Sequence, residues 1–436
     1  MFRSLSIVNY RLWFVGAFVS NIGTWMQRTA QDWVVLTELT DHDAAAVGIT
    51  MALQFGPQLL MMPITGLIAD RVNRRRLLMM TQISMALLAL GLGLLVVTQV
   101  AELWHVYAFA LGLGVVSAID APARQTFVSE LVPDRSIPNA VALNSASFNG
   151  ARLLGPAVAG VLVASIGAGW VFFLNVGTFT AMLLAMVLLR SDELRPALRA
   201  SRERGQIRAG FRYVLSRPDI LVILVMMSLV GTFGLNFAIF VATMATVEFG
   251  QGATAYGALS SILAIGSLTG ALLAARRDRP RIGIAILAAF GFGLACLVSA
   301  LMPNYVTFAV SLIAVGLASM TLLTSANAYV QTTTEPVMRG RVMALYMAIM
   351  MGGTPIGAPL VGLVSNELGP RWAIGVAAVS GIAAAAVALG WMFSKRHLRV
   401  RFDRGARPLF TVEHDGDRRD DVKSGIAAGE IAAQRV

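Results

Sequence analysis

Charged residues are scarce in this chain, because Asp, Glu, Lys and Arg together supply 14% of its 436 residues while 56% are hydrophobic. A soluble domain usually carries charge at about a quarter of its positions. The apolar residues also occur in blocks of roughly 20, the length that crosses a bilayer core about 30 Å thick. These features exclude an ordinary soluble domain and predict a protein with many membrane spans.

Cysteine and lysine are almost absent as well. Cys296 is the single cysteine, which excludes a disulfide framework and a cysteine-based metal site, and the four histidines are scattered. Neither Lys395 nor Lys423 follows a glycine, so the Gly-Lys-Ser/Thr sequence of a phosphate-binding loop is missing. These absences exclude an ATP-driven pump in one chain. With no nucleophile motif and no metal or cofactor constellation, the sequence predicts a protein that is not an enzyme.

Twelve apolar segments predict an all-α integral membrane protein. The first follows Arg3 and Arg11 without a convincing cleavage site, which indicates a retained helix rather than a signal peptide. The segments cover approximately 11–36, 45–69, 77–98, 104–123, 139–164, 169–189, 219–246, 254–275, 281–301, 304–330, 341–365 and 371–394.

The formal net charge is +11, which in a soluble protein would suggest a nucleic-acid partner. Here the basic residues fall in alternate loops, which argues against nucleic acid and for a fixed orientation in a lipid bilayer. Since positive loops stay in the cytoplasm, both termini are expected there, in the inner membrane of a bacterium. The intervening loops carry mainly acids, namely Glu38, Asp41, Asp43, Glu102, Glu248 and Glu367, with Arg371 as their only arginine.

The longest internal loop, residues 191–217, divides the chain into two six-helix bundles, 1–190 and 218–400. Within this arginine-rich cytoplasmic loop, Arg208 to Arg217 is compatible with an amphipathic helix on the membrane surface or with a solvated linker. Residues 401–436 alternate acid and base with little apolar content, and we interpret them as a disordered cytoplasmic tail.

The two halves contain an internal repeat. Val15–Asn21 and Val230–Asn236 share four of seven residues at one offset. Since the paired spans run in the same direction, they predict parallel repeats that face each other across a cavity at the membrane midplane. A second match pairs Gly155, Gly160, Gly167 and Trp170 with Gly357, Gly362, Gly369 and Trp372.

The loop after span two, Gly-Leu-Ile-Ala-Asp-Arg-Val-Asn-Arg-Arg-Arg-Leu at 66–77, closely resembles the signature loop of the major facilitator superfamily. Asn73 stands where the family prefers glycine, a mild departure because Asn also tolerates positive φ. The resemblance implies two pseudo-symmetric six-helix bundles and a gating role for the motif residues Gly66, Asp70, Arg71 and Arg74.

In that superfamily, a charge cluster latches the inner gate of the outward-facing state. The resemblance assigns its members to Asp70 and Arg74 in the loop and to Asp120 on span four. An alternative stays open, in which Asp120 pairs with Arg124 one helical turn later.

Span five contains Gly155-Pro156 and Gly160, which resemble the Gly-Pro-x-x-x-Gly element of superfamily antiporters, a mark of exporters. Such residues bend a helix and allow close packing. An ordinary kinked membrane helix is the alternative. Residues 121–125 and 339–345, including Arg339 and Arg341, look like the subfamily that contains the enterobactin exporter and macrolide or tetracycline efflux proteins.

Span one places Arg28 and Asp32 one turn apart, and span five places Arg152 near its middle. Each central charge costs roughly 3 kcal/mol in lipid, so these side chains must face a cavity or a partner. We expect proton coupling through Asp32, tuned by Arg28 and Arg152. The alternative is a permanent Asp32–Arg28 ion pair that only neutralises two charges.

These patterns predict a monomeric secondary transporter that exports an amphipathic small molecule, drug-like or siderophore-like, by proton antiport with alternating access. An uptake permease or a non-transporting receptor of the same fold are the alternatives. The expected partners are the substrate, protons and lipid, without a cofactor. Polar residues of the spans are the candidate cavity contacts, namely Asn21, Gln54, Asn144, Asn149, Asn236, Asn327 and Tyr329.

Overall fold

The structure, a computed structural model, describes residues 3–61, 65, 72–195, 206–275, 281–396, 399–402 and 410–413. Within these residues, twelve helices in chain order correspond to the twelve predicted spans. They are α1 Val8–Val34, α2 Ala44–Leu60, α3 Arg74–Val97, α4 Leu103–Phe127, α5 Ile137–Ile166, α6 Ala168–Val187, α7 Pro218–Glu248, α8 Ala253–Ala275, α9 Ile282–Ala300, α10 Tyr305–Thr333, α11 Pro336–Leu368 and α12 Pro370–Arg396.

Ten of these helices, α3 to α12, are long and apolar enough to cross a membrane. The other two differ for visible reasons. α1 carries Arg28 and Asp32 in its interior, and α2 has 17 residues before the part of the chain that the structure does not describe begins. The all-helical membrane fold that the sequence predicts is therefore confirmed.

Three helices depart from regular α-geometry. α1 continues as a π-helical turn, Val35–Leu39, and α7 contains two such turns, Val230–Gly234 and Met244–Glu248. α11 is interrupted at Gly353. Wide turns of this kind are common at functional sites in helices.

The helices form two halves, α1–α6 and α7–α12, with equivalent packing. In the first half α1 contacts α5 and α6, and α2 contacts α4; in the second half α7 contacts α11 and α12, and α8 contacts α10. The repeated residues occupy equivalent places, since Gly167 and Gly369 both adopt positive φ, 87° and 101°, directly before α6 and α12. A side chain would be strained there, which explains the glycine in both copies.

We name the two ends of the bundle by their charges. The arginine-rich end carries Arg74, Arg124, Arg190, Arg217 and Arg339, and the acidic end carries Asp43, Glu102, Glu248 and Glu367. Their alternation along the chain is that of the predicted cytoplasmic and external loops. The orientation itself stays a prediction.

The seam between the halves is formed by α2 against α11 and by α5 against α8. Both contacts depend on glycine. A Cβ on Gly257 would lie 2.6 Å from the carbonyl carbon of Gly160, and a Cβ on Gly362 would collide with the backbone of Ala44. Backbone therefore lies directly on backbone, as in glycine-mediated helix pairs of other membrane proteins.

Two hydrogen bonds strengthen the seam at the acidic end. The Ala44 amide donates to Asn366 Oδ1 over 2.9 Å, and Asn366 Nδ2 donates to Asp43 Oδ1 over 2.6 Å. Asp43 also caps α2 by accepting from the amides of Ala45 and Ala46. One α11 side chain thus binds the capped start of α2.

A short helix, Gln206–Ser216, precedes α7, and we call it the linker helix. It packs on α11, where Gly210 lies against Arg341, while Val214 is buried. Arg217 then forms two hydrogen bonds to Asp219, of 3.0 and 2.9 Å, and these bonds raise the pKa of the Arg217 guanidinium. Residues 208–216 are therefore helical, as one of the two interpretations of this stretch requires, whereas contact of the linker helix with a membrane surface stays a prediction.

Two short strands, β1 Arg399–Phe402 and β2 Phe410–Glu413, pair antiparallel, with Val400 opposite Val412. The disordered tail predicted from residue 401 therefore does not hold for these strand residues. Both segments combine valine or threonine with phenylalanine, residues that favour strands. The rest of the tail lies outside the described residues.

The glycine seam generates a prediction about stability. Gly160→Leu places a side chain where α8 backbone lies, and overpacking of this kind costs about 1–3 kcal/mol. We expect a lower melting temperature for the purified protein in detergent. Gly177→Leu is the matched control, because Gly177 lies on exposed α6 surface with nothing within 4 Å of an added Cβ. Equal melting temperatures for the two variants would contradict the seam.

Candidate functional site

The polar face of α1 is buried, as its spacing predicts, with Arg28 7% and Asp32 5% exposed. Aromatic rings hold the Arg28 side chain. Its guanidinium carbon lies 5.1 Å from the centroid of Trp25 and 4.6 Å from that of Phe55 on α2. Cation–π contacts of this kind stabilise a desolvated cation by about 2 kcal/mol.

Arg28 and Asp32 do not form an ion pair within 4 Å, although each lies in the electrostatic field of the other. Arg28 Nε and Asp32 Oδ1 are both buried and have no hydrogen-bond partner among the described residues. The alternative in which a permanent ion pair neutralises the two charges is therefore not what the structure shows. The carboxylate is available for another role.

Asp32 lies at the seam between the halves. Its neighbour Trp33 stacks on Tyr256 of α8, with ring centroids 5.1 Å apart and ring planes 23° from parallel. Tyr256 is 2% exposed and lies within electrostatic reach of Asp32. Asp32 therefore lies close to a tyrosine of the second half.

Arg152 belongs to the same region. It lies on α5 one turn after Phe148, whose ring centroid is 6.1 Å from that of Trp25, and three residues before Gly155, which packs on Trp25. In the described part of the chain Arg152 has no hydrogen bond or ion pair. Its electrostatic neighbour is Tyr346 of α11, whose buried hydroxyl has no hydrogen-bond partner.

Two predicted cavity residues are buried with unsatisfied polar atoms. Gln54 of α2 is 0% exposed and neither amide atom has a partner among the described residues. Asn236 lies where α7 is broken, donates to the Thr232 carbonyl over 2.8 Å, and leaves Oδ1 without a partner. Buried polar groups are normally paired, so orphaned atoms indicate a bound water or ligand.

The other predicted cavity residues are engaged locally or lie elsewhere. Tyr329 donates to Asp219 over 3.1 Å near the arginine-rich end, and its place in a substrate cavity stays a prediction. Asn327 accepts from Gln331 over 2.8 Å, and Asn149 donates to the Ser145 carbonyl over 2.9 Å on its own helix. Asn144 is half-buried.

A buried polar network joins α1, α3 and α4 near the arginine-rich end. Asp120 accepts hydrogen bonds from Thr81 over 2.6 Å and from Gln82 over 3.0 Å, and it pairs with Arg124. Arg124 also donates to Ser20 and, over 3.4 Å, to Asn21, so Asn21 is a structural residue here. These contacts support the alternative in which Asp120 pairs within its own helix.

The gating cluster implied by the family resemblance differs in this structure. Arg74 pairs with Glu130, at the end of the segment that follows α4, rather than with Asp120. Glu130 was not among the predicted gating residues; it ends the short 3-10 helix Val128–Glu130 that follows α4. Three residues of the signature loop with a predicted gating role, Gly66, Asp70 and Arg71, lie outside the described residues.

The remaining motif residues have separate tasks. Gly155 packs on Trp25 within its own half, whereas Gly160, one turn beyond Pro156, packs on the second half. Arg341 contacts the linker helix and Arg339 is exposed. Of the two motif glycines in this span, Gly160 therefore makes the predicted contact with the other half.

Tyr256 and Tyr346 were not among the predicted site residues, although both lie within electrostatic reach of charges in the first half. A tyrosine inside an otherwise apolar span was the available signal. In the described residues, no group of three or more His, Cys, Asp or Glu side chains is arranged to hold a metal ion.

Proteins with sequences similar to this chain are membrane transporters. The family model described as transmembrane secretion effector matches residues 2–400. The staphyloferrin A transporter of Staphylococcus aureus is 24% identical over 396 residues, covering 90% of this chain and 98% of that protein. The enterobactin exporter EntS of Shigella flexneri is 26% identical over 368 residues, covering 83% and 86%.

Solved structures share the fold at lower identity. A mutant of the nucleoside transporter NupG superposes with a TM-score of 0.68 at 13% identity, covering 88% of this chain and 99% of that one. A bacterial homolog of the human lysosomal transporter Spinster, inward-facing and occupied, gives 0.65 at 18% identity, covering 89% and 96%. The chain therefore belongs to the transmembrane secretion effector family of major facilitator proteins, and it is a multi-pass membrane transporter rather than an enzyme.

Proposed function

We propose that this transporter exports an amphipathic small molecule of the siderophore or drug-like class by proton antiport with alternating access. The observation that carries the proposal is Asp32, a buried carboxylate without an ion pair at the seam of the two halves. The siderophore class is supported by two relatives, one a staphyloferrin A transporter and the other an enterobactin exporter.

Proton coupling needs a group whose charge depends on its surroundings. A carboxylate removed from water loses hydration, and a nearby cation offsets part of that loss. Arg28 acts on Asp32 only through space, because Trp25 and Phe55 hold its guanidinium. A substrate that draws Arg28 away changes the balance at Asp32 and drives release or uptake of a proton.

Alternating access needs two halves that separate at one end. The contacts of Gly160 with Gly257 and of Asn366 with Asp43 support a state that is closed at the acidic end. By the positive-inside rule the arginine-rich end faces the cytoplasm, so substrate enters there and leaves through the acidic end. Because Asp32 lies beside Tyr256 of the second half, protonation of Asp32 changes the electrostatic interaction between the halves and so favours or opposes opening of the acidic end.

The first prediction concerns coupling. Asp32→Asn removes the titrating group but keeps its size, so we expect at least about a tenfold loss of proton-driven accumulation in energised inverted vesicles. Substrate binding to the purified variant should persist. The measurement follows fluorescent amphipaths and a catechol siderophore, with and without a proton-collapsing ionophore.

Glu248→Gln is the matched control, because Glu248 pairs with Arg371 at the acidic end, away from the site. Full proton-driven transport by Asp32→Asn would refute coupling at this residue. Flux that ignores the ionophore in the unaltered protein would indicate facilitated movement, and net movement of substrate out of the inverted vesicles would favour the uptake permease. Binding without any flux would favour a receptor.

A second prediction concerns alternating access. Asp43→Cys with Asn366→Cys, in a Cys296→Ala background, replaces a 2.6 Å hydrogen bond by a pair of thiols. Oxidation should join the halves at the acidic end and stop transport, and reduction should restore it. Each single cysteine variant serves as the control. A complete cross-link with undiminished flux would rule out opening at this end.

A further inference from the structure

The interior of the bundle holds an excess of positive charge. α7 to α12 carry no charged residue away from their ends, so the central charges are Arg28, Asp32 and Arg152. Asp120 and Arg124 lie nearer the arginine-rich end and pair with each other. Two guanidinium groups therefore share the centre with one carboxylate.

Neither central guanidinium has an anionic partner within hydrogen-bonding distance in the described part of the chain. Arg28 is held by aromatic faces, and Arg152 has neither hydrogen bond nor ion pair. Arginine keeps its charge at physiological pH. An uncompensated cation inside a membrane costs roughly 3 kcal/mol even on a lenient scale, so the arrangement is stable only if something else meets the charge.

Aromatic rings lie between the two arginines. Trp25 is at the centre, with ring centroids 6.3 Å from Phe55 and 6.1 Å from Phe148. Arg28 lies over the Trp25 and Phe55 rings, and Arg152 lies one turn beyond Phe148 on α5. The group offers apolar ring surface bounded on two sides by cations.

Across the seam, Tyr346 adds a hydrogen-bond donor. Its hydroxyl is buried, has no hydrogen-bond partner within the part of the chain that the structure describes, and lies in the electrostatic field of Arg152. A planar acidic group accepts two parallel hydrogen bonds from a guanidinium and one from a hydroxyl. Arg152 and Tyr346 come from opposite halves, so an acidic group that bound both would bridge the seam.

We infer that the transported molecule is an amphipathic anion whose carboxylate or catecholate group is bound by Arg152 and Tyr346, with its apolar part on Trp25, Phe55 and Phe148. The inference rests on the proposed function, because it takes the molecule bound at this site to be the molecule that is transported. It assigns Arg152 to substrate binding, in place of the tuning role that its sequence position suggested.

The test uses two dyes with one xanthene skeleton and opposite charge: fluorescein, an anion at mildly alkaline pH, and a cationic rhodamine methyl ester. Binding to the purified full-length protein in nanodiscs is followed by fluorescence polarisation. We expect fluorescein to bind at least about tenfold more tightly, and 2,3-dihydroxybenzoate to compete with it.

Variants locate the charge. Arg152→Met should weaken fluorescein binding about tenfold or more and leave the rhodamine ester unaffected, whereas Arg152→Lys should retain part of the affinity. Tyr346→Phe, which removes a single hydroxyl, should weaken fluorescein a few-fold. Arg190→Met is the matched control, because Arg190 is an exposed arginine paired with Glu193.

Equal or tighter binding of the rhodamine ester overturns the inference, as does the absence of fluorescein binding in protein with a normal melting temperature. So does an Arg152→Met variant that weakens both dyes equally, because that pattern marks a structural role. Fluorescein binding through Arg152 without proton-driven flux would refute the antiport and leave the ligand class standing. Proton-driven flux of the cationic rhodamine ester alone would refute the anionic ligand class and leave the antiport standing.

Discussion

Charge inside a bilayer must be turned away from lipid, and the arrangement of this protein depends on how α1 and α5 satisfy that constraint. Asp32 and Arg152 lie within electrostatic reach of Tyr256 and Tyr346 of the second half, while Arg28 lies against aromatic rings of its own half. The seam is narrow because glycine lines it, so the two tyrosines reach the charges of the first half. The contacts that keep these charges away from lipid are thus also contacts that join the two halves.

The two halves share a backbone plan but differ in chemistry. The first half holds the ionisable groups, and the second contributes hydroxyls and a broken helix with the orphaned oxygen of Asn236. A symmetric distribution would place like charges opposite each other across the seam, which costs energy in a medium of low dielectric constant. The asymmetry allows the halves to meet closely while the ionisable groups stay buried.

Much of this architecture follows from local sequence. The lengths of the apolar segments and the positions of the arginines predict twelve spans whose ends agree with most helices to within a few residues. The constant offset between Gly167 and Gly369 likewise predicts equivalent turns, and both glycines adopt positive φ. The buried face of α1 also followed from spacing, because residues three or four apart share a helical face. These features depend on one helix at a time.

The contacts of the site depend on residues far apart in the chain. Nothing local indicates that Tyr346 faces Arg152 or that Tyr256 lies beside Asp32, because packing of the halves decides both. For the same reason Arg74 was assigned to Asp120, although Glu130 pairs with it. Tyr329 was assigned to the cavity from polarity alone, while its hydrogen bond to Asp219 depends on how α7 meets α10.

The backbone contact of Gly160 with Gly257 has a consequence for rate. Side chains that interlock across an interface lose rotamer freedom on closure and must unlock before the surfaces part. Glycines have no rotamers to freeze, and dispersion between two bare backbones is strong only at close range. Closure at this point is therefore short-ranged and free of side-chain rearrangement, which lowers the kinetic barrier in both directions. In the alternating access that we propose, a contact that re-forms quickly would serve the transporter better than one that is merely strong.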